Sequence, residues 1–309
     1  MNSRDEPVVV VGSGPLGAVA ARRLAEAGRA VTILEAGPAI SDPPGSHVRN
    51  QARYQRDPDS FFAGIASHIT YFDQTAPPRG LPGASVSAAV GGQGVLWTNN
   101  CPRPTPAERG ELLSDDEWEH YLGAAERYLG VTDDTFSGSV RQQRILERLG
   151  PVLAAAGRDL RGQPMAGRLV APDTVHYVAT DDILAGVGVR IETADVRHVL
   201  FHRGRASGVR LADGATVPAS AVVLAAGAFD TPILLHRSGI RHPALGCRLT
   251  YHPVLYSQLV LDPDLCGGAG DVPPRLWIPP AQGAPWNTML LRDTNPVPPS
   301  APDVDLPAH

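Results

Sequence analysis

Lysine is missing altogether. The 27 basic residues of this 309-residue chain are all arginine, which excludes Schiff-base chemistry, a pyridoxal anchor and a P-loop lysine, since each needs a primary amine. The arginine-only bias, with many Ala, Gly and Pro, fits a GC-rich coding sequence. Thirty-two acidic residues outweigh the arginines to a formal charge of −5. No basic tract offers a surface for nucleic acid. Cysteine is scarce: Cys101, Cys247 and Cys266 are odd in number and form no C-x-x-C pair, so neither a disulfide framework nor a thiolate metal site is expected. No apolar run approaches the ~20 residues of a membrane span. Met1 to Pro7 is polar and a strand follows at once, which leaves no room for a signal peptide. The expectation is a soluble, cytoplasmic protein without membrane contact.

What is present begins at Val8. With 43% hydrophobic residues there is material for a real core, and the length could hold two domains. Val8 to Gly37 reads VVVVGSGPLGAVAARRLAEAGRAVTILEAG. Four valines make a buried strand, Gly12-Ser13-Gly14-Pro15-Leu16-Gly17 makes the turn into a helix, and Gly28 closes that helix before a second strand ends at Glu35. The order is that of a dinucleotide site. The first glycine permits the tight turn and the second lets backbone approach a pyrophosphate at the positive end of the helix. The third lets strand and helix pack closely. Glu35 is placed to accept from a ribose 2′-hydroxyl. Both NAD and FAD fit these residues alone.

Further on, the spacing predicts a helix near Val48 to Ile65 and a loop from Pro77 to Gly83. Gly91-Gly92-Gln93-Gly94 follows, where glycines admit a flat ligand or a phosphate. A surface turn would use the same residues, but large and amide side chains, Trp97 to Asn100, come immediately after. Ser114 and Glu117 form an S-x-x-E capping box opening a helix to about Leu129, with Trp118, Tyr121, Leu122 and Tyr128 for one apolar face. Ser139 and Gln142 repeat the device for a second helix carrying Ile145 and Leu149. From Val187 the pattern changes to short strands: Val189 to Glu192, Val196 to His202, Gly208 to Leu211 and Ala215 to Val217, a β-meander with turns at Arg203-Gly204-Arg205 and Asp213-Gly214. Ala221 to Gly227 reads as a strand buried on both faces. Thr231 as N-cap and Pro232 at the first helical position open a helix that ends at Gly239. The proline-rich section from about Pro253 reads as strands and loops of another domain.

With these stretches in hand, the chain resembles the glucose-methanol-choline (GMC) oxidoreductases, and within them the pyranose 2-oxidase and bacterial glycoside 3-oxidase branch. The resemblance is carried by the Val8–Gly37 unit, by Gly91 to Arg103 with its tryptophan, threonine and closing Pro-Arg, and by Asp115-Asp116-Glu117-Trp118. Ala226-Gly227-Ala228 through Ser238-Gly239, and Pro285-Trp286-Asn287-Thr288 with Arg292-Asp293, add to it. It implies an α/β fold: an FAD-binding doubly wound (Rossmann-like) domain with an inserted β-meander, plus an incomplete α+β substrate domain. Residues 1–46, 84–112 and 190–252 would form the FAD-binding domain, 47–83 and 113–189 intervening helical segments, and 253–309 the start of the substrate-binding domain. The cofactor implied is FAD rather than NAD.

The resemblance also implies a cofactor site. Gly12, Ser13, Gly14, Leu16 and Gly17 would hold the pyrophosphate, with Glu35 and Ala36 at the ribose. Gly91, Gly92, Gly94, Thr98, Asn99 and Asn100 would lie along the isoalloxazine, Val196 would meet adenine through its backbone, and Ala226 and Gly227 would complete the site. Leu96 stands where fungal pyranose oxidases place a histidine bonded to the flavin, and leucine has no nucleophilic atom, so the FAD is expected to be non-covalent. The segment between Ile69 and Gly83 is shorter than in the fungal enzymes, which puts their tetrameric assembly in question for this chain.

The implied reaction is hydride transfer from a secondary alcohol of a sugar or glycoside to flavin N5, with O2 or a quinone as electron acceptor. Such chemistry needs a base for the hydroxyl proton and a second polar group. In the family these come from a C-terminal segment that has no counterpart before His309. None of the ten histidines, His47, His68, His120, His176, His198, His202, His236, His242, His252 and His309, has the context of that motif. Each reads as structural or solvated, so no catalytic residue and no metal ligand is assigned. Two readings follow: a truncated or split enzyme completed by a second polypeptide that supplies the C-terminal half, or a non-catalytic flavin-binding remnant. A substrate sheet cut midway exposes edges and apolar surface, so the expected behaviour of the purified chain is self-association in gel filtration; a monodisperse, yellow, cooperatively melting monomer would contradict it.

Overall fold

The computed structural model describes residues 6–56, 69–71, 85–171, 174–250, 254–255, 262–265, 271–272 and 274–291. Its central element is a parallel sheet. Val8–Val11 lies between Ala221–Leu224 and Val31–Glu35, and Arg190–Thr193 pairs beyond the latter. Val8 is level with both Ala221 and Val31, and Val11 with both Leu224 and Leu34. The carboxyl ends of the three strands therefore reach one edge together, where ligands bind in open α/β sheets.

The valine run is continuous because both faces of its strand are covered. Val9, Val11 and Leu34 pack with Val199, Val209, Ala219 and Leu234. Val199 and Val209 belong to an antiparallel sheet of Val196–His202, Arg205–Leu211 and Thr216–Pro218, Ala219 follows its last strand, and Leu234 is on the helix Gly227–Arg237. Val10, Val31 and Ile33 point the other way, onto Ala21 and Leu24 of the helix Pro15–Glu26 and Leu184 of the helix Thr180–Leu184. The result is the doubly wound core with a β-meander of three strands, since Arg190–Thr193, expected as the meander's first strand, pairs parallel with Val31–Glu35 instead.

A second region is built on two small antiparallel sheets. One joins Val131–Thr132, Met165–Ala171 and Thr174–Tyr177; the other joins Arg161–Gly162, Arg275–Ile278 and Thr288–Leu291. The helices Asp115–Leu129 and Val140–Ala155 accompany them.

Several local expectations need correction. The helix after the last parallel strand starts at Gly227, with Pro232 inside it and Thr231 not a cap. The chain turns into the helix directly from the strand, so the proline falls in the second turn and costs the backbone bond that its N–H would make to the Ala228 carbonyl. That strand, Ala221–Leu224, is half-buried rather than enclosed, because it is at one edge of the described sheet. The Val48–Ile65 helix is broken: a short 3-10 turn at Val48–Asn50 precedes a helix at Ala52–Arg56, and residues 57–68 lie outside the described ones, as does the Pro77–Gly83 loop.

The reciprocal capping box at Ser114 and Glu117 forms as expected. The Asp115–Leu129 helix, however, contains no fully buried residue, and Tyr121 of its expected core face is exposed. At the next helix Ser139 accepts from the Gln142 amide, but the Gln142 side chain turns away to accept from the Arg275 amide at 2.9 Å. A residue remote in sequence adds to the Ser139 cap. Asp271 accepts from the Val140 amide at 2.9 Å and the Arg141 amide at 3.0 Å, where a carboxylate also meets the positive end of the helix.

Asp271→Ala should lower stability by about 1 kcal/mol, the usual value of an N-cap, read as a shift in the urea midpoint. An unchanged midpoint would show that Asp271 holds nothing.

Candidate functional site

At the sheet's carboxyl edge the three glycines of the first turn have separate tasks. Gly12 sits at φ +98°, and a methyl group there would strike the Ala225 carbonyl. A methyl on Gly17 would strike the Gly12 carbonyl. Gly14 differs: nothing lies within 4 Å of the space its missing side chain would fill. It precedes Pro15, which occupies the first helical position and has no N–H. Ala18 N–H donates to the Gly14 carbonyl at 2.9 Å, so the Leu16 and Gly17 amides are the first donors with no acceptor inside the helix. The Leu16 side chain is 82% exposed beside them. Open space, a closed backbone behind it and helix-terminal donors together fit an anionic diphosphate.

The turn is pinned by one carboxylate. Glu35 is 8% exposed; its Oε2 accepts from the Ser13 amide at 2.9 Å and the Ser13 hydroxyl at 2.6 Å, and its Oε1 accepts from the Gly37 amide at 2.9 Å. The Ser13 hydroxyl in turn accepts from the Gly91 amide at 2.7 Å. Thr180 Oγ1 lies 3.3 Å from both the Ser13 and the Gly91 carbonyls. The glycines of the second loop serve this junction. A methyl on Gly92 would come within 3.1 Å of Gly14 Cα, and one on Gly94 within 2.7 Å of Pro15 Cγ. The close approach they permit is thus to the first turn. Oε2 already accepts two bonds, whereas Oε1, with the Gly37 amide alone, keeps a lone pair for a further donor.

Gly12 to Gly17, Glu35, Gly91 to Gly94 and the Ala225–Ala226 step are therefore brought together. Ala36 and Gly227 are exposed, and Ala226 is half-buried at the end of its strand. Val196 is half-buried at the start of the meander, paired with Leu211. The Thr98–Asn100 stretch is held by other partners. Asn99 is fully buried at φ +60°, and its amide donates to the Ala166 and Val178 carbonyls, both at 2.8 Å. Asn100 donates to Thr98 Oγ1 at 3.1 Å and lies 3.3 Å from the Met289 sulfur. Thr98 is exposed. Leu96 packs against the cluster of Val48, Tyr54 and Val95.

Two residues with a part in this geometry were not singled out from the sequence as site residues. Thr180 lies 167 residues from Ser13 in the chain, and no local pattern connects them. His47 read as structural, and it is fully buried, yet it bonds the Trp97 carbonyl at 2.9 Å. Of the other histidines, His176 pairs with Asp182 at 2.9 Å, while His120, His202, His236 and His242 are exposed and His198 half-buried. His68, His252 and His309 lie outside the described residues, as do Arg292, Asp293 and Cys266. Burial pushes the Cys101 thiol up to about 11, which makes it a poor nucleophile. Among the described residues no group of His, Cys, Asp and Glu could hold a metal ion, and no helix is long and apolar enough to cross a membrane.

Comparison with known proteins agrees with this fold. A family model described as GMC oxidoreductase matches residues 173–254, and one for an NAD(P)-binding Rossmann-like domain matches residues 10–70. A C-glycoside 3-oxidase of Arthrobacter globiformis is 32% identical, over 97% of this chain and 67% of that protein. The chain belongs to the GMC oxidoreductase family. A C-glycoside 3-oxidase of Microbacterium trichothecenolyticum is 35% identical to this GMC chain over 77% of it and 55% of the relative. A pyranose 2-oxidase of Lyophyllum shimeji is 25% identical over 90% and 59%. The GMC chain thus spans between half and two thirds of the length of these relatives. The solved formate oxidase of Aspergillus oryzae superimposes with a TM-score of 0.52 over 76% of this chain and 48% of its own, at 16% identity, which is a likeness of fold.

Ser13→Ala leaves the buried Gly91 amide without its acceptor and removes one of the three donors to Glu35, so it should cost about 2 kcal/mol in denaturant unfolding. A loss below about 0.5 kcal/mol, the size of a neutral surface change, would show that the two loops are held by something else.

Proposed function

We propose that this GMC chain holds FAD non-covalently and is part of an oxidoreductase acting on the CH–OH group of a sugar or glycoside. The observation that carries the reading is the unfilled space at Gly14, beside the first amides of the Pro15–Glu26 helix, in a turn whose Gly12 is closed against the Ala225 carbonyl. Gly12, Gly14 and Gly17 with the Leu16 amide would bind the diphosphate, Glu35 and Ala36 the ribose, and Val196 the adenine. Gly91, Gly92, Gly94, Thr98, Asn99, Asn100, Ala226 and Gly227 would enclose the remainder. Flavin, when bound there, supplies the two-electron acceptor. The sugar as substrate is supported by the relatives named C-glycoside 3-oxidase and pyranose 2-oxidase.

The chain's own contribution is binding and orientation. The Glu35–Ser13–Gly91 chain of bonds fixes the spacing between the two glycine loops, and Thr98 presents the exposed hydroxyl of the third stretch. His47 has a partner at each ring nitrogen and His176 is paired with Asp182, so we take the acid–base pair for the alcohol to come from a C-terminal half, within a longer chain or on a second polypeptide. The acceptor would be O2 or a quinone. Cytoplasmic placement is the reading we attach to two described cysteines that are both free.

Gly14→Ala separates binding from folding. Its backbone, at φ −60° and ψ 174°, accepts alanine and its surroundings are empty, so the melting temperature should stay unchanged. FAD, titrated by quenching of flavin fluorescence, should bind at least tenfold more weakly, a loss of about 1.4 kcal/mol. Equal affinity in the two proteins, or no FAD uptake by the parent chain, would refute the reading.

A further inference from the structure

His47 is fully buried and both ring nitrogens are engaged. Nδ1 accepts from the Arg49 amide at 3.1 Å, and Nε2 is 2.9 Å from the Trp97 carbonyl. An imidazole that accepts at Nδ1 and meets a carbonyl at Nε2 carries its proton on Nε2 and is neutral. The surroundings hold it in that form. Arg49 of the same segment and His47 itself both pack on the Tyr177 ring, at 5.2 Å in each case. Asn50 clips the same strand from both sides, donating to the Tyr177 carbonyl at 2.8 Å and accepting from its amide at 2.9 Å. The neighbouring elements also carry Tyr54, in the packing around Val48, Arg53 and Arg56 on its helix, the His176–Asp182 pair, and Asp181, whose amide donates to the Gly45 carbonyl at 3.3 Å. Burial, with Asp182 second, raises the Asp181 carboxyl above the ordinary range.

The other end of this tether is the residue just before Thr98. Trp97 is held twice: its carbonyl by His47, and its indole N–H by the Val178 carbonyl at 3.0 Å. Val178 also receives the buried Asn99 amide. The two bonds fix both the backbone and the side chain of Trp97, and with them the direction in which the chain leaves toward Thr98.

We propose that His47, as the neutral Nε2–H imidazole, is a positioning residue that sets the Trp97–Asn100 turn against a bound flavin. The proposal rests on the flavin reading of Thr98 to Asn100. A protonated ring would present a second N–H to the Arg49 amide and lose that bond, so the fold requires the neutral form.

Two conservative variants of the full chain divide the possibilities. His47→Gln keeps a donor where Nε2 stood and can still reach the Trp97 carbonyl, whereas His47→Asn keeps the acceptor that caps Arg49 and loses the reach. Indole N–H exchange by NMR reads Trp97 directly without cofactor, with the bonded indoles of Trp118 and Trp277 as internal controls. The expected result is exchange at Trp97 about tenfold faster in His47→Asn and within about twofold of the parent in His47→Gln, with the controls unmoved. With FAD added, the visible flavin band should shift in His47→Asn alone. Parent-like exchange and band in His47→Asn, or equal changes in both variants, would overturn the proposal. Failure of the parent chain to take up FAD would refute the flavin reading and with it the purpose assigned to His47, while the indole exchange would still show whether the tether exists.

Discussion

The structure depends on one buried carboxylate. Glu35 ends its strand at the sheet's carboxyl edge and gathers three donors, two from Ser13 and one from Gly37. In a site of low dielectric such charge-assisted bonds are stronger than in water, and each donor left unmet would be expensive. Through the Ser13 hydroxyl the same carboxylate reaches the Gly91 amide, so two loops far apart in sequence share a single anchor. The expected role of Glu35 was to receive a ribose. Its position also makes it the fastening between the diphosphate turn and the second glycine loop.

That fastening explains the distribution of small residues. Gly37 has the Ala88–Ala89 backbone where a side chain would go, Gly92 faces Gly14, and Gly94 faces Pro15. Once the loops are this close, the unfilled volume left in the turn is at Gly14. The same closeness separates the roles of the later residues. Asn99, read as a ligand contact, spends its amide on two carbonyls of the neighbouring strands. Thr98 stays turned to solvent, and His47 secures it from behind through Trp97.

The Val8–Glu35 unit was legible in the sequence because every local signal agrees there: a valine run covered on both faces, glycines in the turn, a proline at the first helical position and a glycine past the helix end. The Ser114 cap was legible for the same reason, since a capping box lies within four residues. What could not be read depends on partners remote in the chain. Gln142 looked like a capping residue until Arg275 arrived as a competitor, and Asp271 supplied the anion in its place. Thr231-Pro232 has the form of a helix start, yet the chain had already turned helical at Gly227 on leaving the sheet. Thr180 carries no local mark of its place between Ser13 and Gly91. The apolar side chains of the Asp115–Leu129 helix follow helical spacing faithfully, but spacing does not say whether a neighbour covers them, and none of them is fully buried.

Amide hydrogen exchange tests the central claim most directly. If Glu35 and Ser13 fasten the two loops, the Ser13, Gly37 and Gly91 amides exchange as slowly as those of the parallel strands, and added FAD slows the Leu16 and Gly17 amides at the mouth of the turn. Exchange of Gly91 and Ser13 at the rate of an open loop, with no change at Leu16 and Gly17 under saturating FAD, would contradict it.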